Sequence, residues 1–154
     1  MILTPHFTVA EFVASDTAAR LGIDNSLPAT MLETAKSTCE MLERIRAHLA
    51  RVAGRTVPVV LTSGYRCLQL NAAIGSTAGS DHVRGLAADI KAPAFGSAFE
   101  VAGALAPHVD ALGIGQLIHE FGSWVHVSTR RPERPVNRII TISRRGTEPG
   151  IVEM

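Results

Sequence analysis

The sequence predicts an α+β fold: a single domain over residues 1–154, with helices flanking a central antiparallel sheet. Three observations carry the prediction. Helical periodicity dominates the first third of the chain. Short β-branched segments bounded by turn residues then follow at close spacing. Finally, 154 residues suit one hydrophobic core and leave little room for a second.

Thr8-Val9-Ala10-Glu11 has the capping-box pattern and opens a short helix carrying Phe12 and Val13. Ser15 to Asn25 reads as a connecting stretch. Pro28 suits the first turn of the longest helix. There Met31, Ala35, Thr38, Leu42, Ile45, Leu49 and Val52 recur in steps of four and three. That spacing makes one buried stripe, with Glu33, Lys36, Glu40, Glu43 and Arg44 outside it. At this length the stripe predicts a core helix, not a coiled coil, and Gly54 marks its end.

Val57 to Thr62 reads as a strand, Arg66 to Ile74 as a short helix stopped by Gly75, and residues 75–79 as a loop. Ala87 to Ile90 reads as a short buried strand. Ser97-Ala98-Phe99-Glu100 is a second capping box, for a helix running to about Pro107. Gln116 to Glu120 and Trp124 to Thr129 form two strands around the turn Phe121-Gly122-Ser123. Arg138 to Ile142 adds a further strand. The core then spans about residues 6–143, and the tail from Gly146 onward is expected to be loose.

Composition narrows the function. With 46% apolar and 19% charged residues the chain reads as soluble and globular. A net charge of +1 gives no bulk electrostatic reason to bind nucleic acid. Arg130, Arg131, Arg134, Arg138, Arg144 and Arg145 gather late in the chain. They read as a solvated face, or alternatively as an attraction for an anionic polymer. Cys39 and Cys67 are too few for a disulfide framework, and Cys39 falls on the apolar helix face. The opening Met1 to Phe7 lacks a basic region followed by an apolar stretch, and no apolar run reaches membrane-spanning length. A cytoplasmic monomer without stable membrane association is expected.

Three residues suggest a metal centre. His82 follows a loop of small residues, Asp89 returns a carboxylate from the adjoining strand, and His126 lies in a later strand. Two imidazoles and a carboxylate leave a coordination position open for water, as catalytic zinc requires. On spacing alone, a histidine after such a loop is more often a surface or capping residue. A three-residue turn sets Glu120 against Trp124 and Ile118 against His126. Ile118, Glu120, Trp124, His126 and Ser128 then share one face. Glu120 lies diagonal to His126, roughly 7–8 Å away between backbones. That suits a general base, or else a half-exposed strand carboxylate. His119 points to the other face and is excluded as a ligand.

Ser80-Asp81-His82-Val83-Arg84-Gly85-Leu86-Ala87-Ala88-Asp89 resembles the Ser-x-His-x-x-Gly-x-Ala-x-Asp signature of the zinc D-Ala-D-Ala peptidases. Trp124-Val125-His126-Val127-Ser128 resembles their third-ligand strand, and Ser63-Gly64-Tyr65-Arg66 their upstream motif. The opening, from His6-Phe7-Thr8 to Gly22-Ile23, resembles small phage and prophage members of the peptidase M15 group. The resemblance runs from about His6 to Ser128.

It implies a Zn2+ ion held by His82, Asp89 and His126, with Arg66 near the scissile carbonyl. Several members carry the catalytic acid three residues before the last histidine, where this chain has Ser123. Others, including hedgehog signalling domains, place a glutamate six before it, as Glu120 is here. The implied chemistry is hydrolysis of peptidoglycan stem peptides, at D-Ala-D-Ala or L-Ala-D-Glu. Glu120 would serve as base, Arg66 would stabilise the oxyanion, and Ser80 would support the loop or the substrate amine. A phage or prophage lysin of this kind would need a separate pore-forming protein to reach the wall. Two rivals remain: a metal-containing binding module without hydrolysis, and a non-haem iron oxygenase with the same two-histidine, one-carboxylate set.

Overall fold

In the computed structural model, which describes residues 1–154, a small ladder of β1 (Ile2–Thr4) and β2 (Phe7–Thr8) leads into α1 (Val9–Val13). Thr8 and Glu11 close the expected capping box. The stretch read as a connection contains a further helix, α2 (Asp16–Leu21). The Ser15 hydroxyl accepts the Ala18 N–H and caps it, a local bond outweighing the absence of a long apolar repeat. Pro28 precedes a 3-10 turn, Ala29–Met31, and α3 (Leu32–Ala53) follows. Ala35, Thr38, Leu42, Ile45 and Leu49 of the predicted stripe are buried; Met31 is half-buried in the 3-10 turn before the helix, and Val52, next to its last residue, is exposed.

Next come β3 (Val60–Ser63), α4 (Leu68–Ala73) and β4 (Ala87–Lys91). After these lie α5 (Ala98–Leu105), behind its capping box, and α6 (Val109–Leu112). The strands β5 (Gln116–Glu120), β6 (Trp124–Ser128), β7 (Ile139–Ser143) and β8 (Gly146–Pro149) complete the chain. Cys67 caps α4, so Arg66 lies in the extended segment before that helix and not within it.

The six-stranded sheet has the order β3-β4-β6-β5-β7-β8. Every pair is antiparallel except β5 and β7, which run parallel. The expected antiparallel sheet thus carries one parallel pair. The chain leaves β6 beside the start of β5, turns back through residues 129–138 and enters β7 along the other flank of β5. The tail is also not loose. β8 pairs with β7, the Val152 N–H donates to Thr141 Oγ1, and His119 Nδ1 donates to the Val152 carbonyl. Backbone pairing holds a segment that offers few apolar side chains.

Alternation sorts the two faces of the sheet. Ala88, Ile90, Leu117, Val125 and Val127 face a core shared with Cys39, Met41, Leu42, Ile45 and Leu49 of α3 and Val101, Ala102 and Leu105 of α5. Truncating one such leucine or isoleucine to alanine costs about 2–5 kcal/mol. Asp89, Ile118, Glu120, Trp124, His126 and Ser128 point the other way, as their register partners require. The helices thus hold the sheet rigid from behind, leaving its opposite face to chemistry.

Candidate metal centre

His82 comes from a 3-10 turn, Asp81–Arg84, that the Ser80 hydroxyl caps by accepting the His82 N–H. Gly85 ends the turn in the left-handed region, at φ 71°, where a side chain would be strained. Its carbonyl accepts the Thr38 hydroxyl of α3 at 2.7 Å, tying the turn to the longest helix. Asp89 and His126 sit opposite each other in the β4–β6 register.

The three side chains converge. His82 Nε2 lies 3.2 Å from His126 Nδ1 and 3.3 Å from Asp89 Oδ1, and His126 Nδ1 lies 3.0 Å from Asp89 Oδ1. All three residues are buried. His82 Nδ1 stands 2.6 Å from the Gly64 carbonyl, which can only accept, so that nitrogen carries the proton and Nε2 offers its lone pair. Three electron-rich atoms this close require a proton or a cation among them. Tetrahedral zinc with ligands at about 2.0–2.1 Å has ligand–ligand edges of about 3.3–3.4 Å, close to this triangle. The donor set fits a metal ion.

Electrostatics follow from burial and from these contacts. Burial pulls the His82 imidazole below its ordinary pKa, against the opposing pull of Asp89. Burial alone would raise the Asp89 carboxyl, but hydrogen bonds from His126 and His82 outweigh it and hold it well below the usual range. Burial would lower His126, yet the bond to Asp89 and the charges of Asp89 and Glu120 lift it. Glu120 is raised chiefly by burial and by Asp89, although His126 and Arg66 oppose the shift. Its Oε1 lies 4.0 Å from His126 Nδ1.

A cleft of about 440 Å³ opens over the triangle, and Arg66, Ser80, Glu120, Phe121 and Trp124 are among its walls. The three candidate ligands, Glu120, Arg66 and Ser80 are therefore in one place. Arg66 Nη2 reaches Ser80 Oγ at 3.5 Å, while its Nε and the Trp124 Nε1 are buried without a partner. His119 is buried on the opposite face, as expected. The basic cluster divides. Arg130 pairs with Asp81, and Arg131 and Arg138 with Asp110, whereas Arg134, Arg144 and Arg145 have no carboxylate within 4.0 Å.

Sequence reasoning passed over several supporting residues. A Cβ at Gly64 would collide with the carbonyl and ring of Phe12, so only glycine lets this segment reach His82. Asn25 brackets Arg66: its amide donates to the Tyr65 carbonyl and accepts the Cys67 N–H. Asp81 accepts the Ser128 hydroxyl at 2.8 Å and Arg130 Nε at 2.6 Å, joining the His82 turn to the His126 strand. Gly64 was signalled by its motif. Asn25 and Asp81 act across 42 and 47 residues respectively, where no local pattern points.

A family model described as Peptidase M15 matches residues 5–128, a span that includes every residue of the site. No curated protein matches the sequence.

Proposed function

The chain belongs to the peptidase M15 family, and from that premise we propose that it is a zinc peptidase hydrolysing amide bonds of peptidoglycan stem peptides. One observation carries the reading: His82 Nε2, Asp89 Oδ1 and His126 Nδ1 converge within 3.0–3.3 Å beside Glu120 and Arg66. These three atoms would hold the ion. Zinc bound there supplies Lewis-acid polarisation of a carbonyl and makes a water more acidic.

The remaining work falls to the protein. Glu120, half-buried and raised in pKa, takes a proton from the attacking water and returns it to the leaving amine. Arg66 stays cationic despite burial, and its guanidinium, which lines the cleft with Nη2 beside Ser80, donates to the oxyanion as charge develops there. The Asn25 clamp on Tyr65 and Cys67 fixes the segment that carries Arg66. Ser80 holds the His82 turn and meets Arg66, leaving it a supporting part.

The likeness of residues 6–23 to phage and prophage peptidases supports a lysin that is held inside the cell until a pore opens. Digestion of purified wall fragments, read by mass spectrometry, tests the activity and identifies the bond. Loss of terminal D-alanine, or release at L-Ala-D-Glu, should occur with the wild type and be absent with His82→Ala. Intact fragments after prolonged incubation of zinc-loaded wild type would reject the peptidase reading. If the fragments stayed intact but bound, a non-catalytic module would replace it.

A further inference from the structure

A second groove, of about 510 Å³, adjoins the metal cleft, and Phe121 walls both. Its other walls are Ser123 of the β5–β6 turn, Ser143 at the end of β7, Arg144 and Arg145 of the β7–β8 turn, and Met154 of the tail. The parallel placement of β7 against β5 brings the two turns to the same end of the sheet. Phe121 itself has a φ of 53°, the one non-glycine residue of the chain in the left-handed region. Gly122 beside it has a φ of 64° and the Ser123 N–H donates to the Glu120 carbonyl, so the angle belongs to the tight turn that joins β5 and β6. The Phe121 ring is half exposed and packs against Trp124 at 5.6 Å between centroids, so it stands up between the two depressions.

The arginines give this groove its sign. Arg130, Arg131 and Arg138 spend their charge on Asp81 and Asp110. Arg144 and Arg145 have no carboxylate within 4.0 Å, and both are exposed beside the groove. Two guanidiniums without a carboxylate partner and the Ser143 hydroxyl form a donor-rich lining that suits a carboxylate, while the Ser123 hydroxyl is already donated to the Phe121 carbonyl. We propose that this groove is a second substrate subsite, binding a free carboxylate of the same peptide chain whose scissile bond lies in the metal cleft. The proposal rests on the peptidase reading for the identity of the chain, while the groove itself is independent of the metal ligands. Arg144 and Arg145 are specificity residues here, remote from the reacting atoms.

The test uses two synthetic stem peptides, identical except that one has free carboxylates and the other has them amidated. Each is titrated into the zinc-loaded wild type and into an Arg144→Ala, Arg145→Ala double variant, with cleavage followed in the same samples. Both arginines are exposed, so folding should survive, and a matching thermal melt checks it. The double variant should bind the acidic peptide about tenfold more weakly, a size typical of two exposed charge pairs. Its affinity for the amidated peptide and its turnover of that peptide should be unchanged. Equal losses for both peptides, or no loss for either, overturn the subsite. If the acid preference is present and arginine-dependent but nothing is cut, the subsite stands and the peptidase reading fails. If cutting proceeds with an acid preference that ignores both arginines, the reverse holds.

Discussion

Asp89 and His126 are directly opposed on neighbouring antiparallel strands, with His126 Nδ1 3.0 Å from Asp89 Oδ1. The register of the sheet thus sets two of the three candidate ligands. A slip of one residue in either strand would turn that strand's ligand into the helix-packed core. The third, His82, arrives from a turn, and its ring is fixed by the carbonyl of Gly64.

Metal content follows from that geometry. His82→Ala or Asp89→Ala removes one corner of the triangle and should abolish stoichiometric zinc in the purified protein, by elemental analysis. Full occupancy in both variants would discard the ligand assignment.

Glu120 separates binding from chemistry. It faces Trp124 across the hairpin and lies 4.0 Å from His126, outside the ligand triangle. Glu120→Gln keeps the shape and removes the base. It should retain zinc and lose about 10²–10⁴ in hydrolysis rate. Near-normal turnover would move the base role elsewhere.

The hairpin that positions Glu120 was legible in the sequence, because a three-residue turn and a period of two fix both register and face. The structure pairs Glu120 with Trp124 and Ile118 with His126, as the sequence implied. The Asp89–His126 pairing was not legible from periodicity, since it joins strands 37 residues apart. The motif resemblance joined the two residues as ligands, but not as cross-strand partners. Two features were misread because their signals are backbone bonds and not apolar patterns. β8, Gly-Thr-Glu-Pro, has no large apolar side chain yet completes the sheet, and β7 takes a parallel partner that no local residue announces.

Zinc affinity should depend on pH through His126. This imidazole must release its Nδ1 proton to bind an ion, and Asp89 and Glu120 raise its pKa above the ordinary 6.5. Protons therefore compete at a higher pH than for a free histidine. Burial lowers His82, and Asp89 is held well below the usual carboxylate range, so neither adds a proton in that window. Affinity measured against a competing chelator should fall about tenfold per pH unit below the His126 pKa, the slope of one displaced proton. A flat profile from about pH 8 to pH 6 would contradict this.

The Asp81 network predicts a structural effect. Its buried carboxylate accepts Ser128 Oγ and Arg130 Nε, and Ser128 Oγ also accepts the Arg130 N–H. Asp81→Ala leaves a buried hydroxyl and a guanidinium short of an acceptor. It should lower stability by about 1–3 kcal/mol, read from the urea midpoint. Restoration by Asp81→Asn should be partial, because the amide keeps one acceptor but loses the charge. An unchanged midpoint in Asp81→Ala would show that water replaces the carboxylate at no cost.

The last prediction concerns where the peptidase acts. The proposed substrate lies outside the inner membrane, whereas nothing in the fold calls for an oxidising compartment. Cys39 and Cys67 are both free, Cys39 is buried in the core, and Cys67 caps a helix with its sulfur. No helix of the chain is long and apolar enough to cross a membrane. An enzyme able to fold completely in a reducing cytoplasm can accumulate there harmlessly until the membrane is breached. Expression alone should therefore leave host cells intact, and co-expression with a pore-forming protein should clear the culture. His82→Ala with the same pore former should not clear it. Turbidity across the four combinations separates the parts of the idea. Equal clearing by wild type and His82→Ala would mean that cleavage at this site does not cause lysis. Clearing by the wild type without a pore former would instead show that the enzyme reaches the wall unaided, and retention would have to be abandoned while the metal site stood.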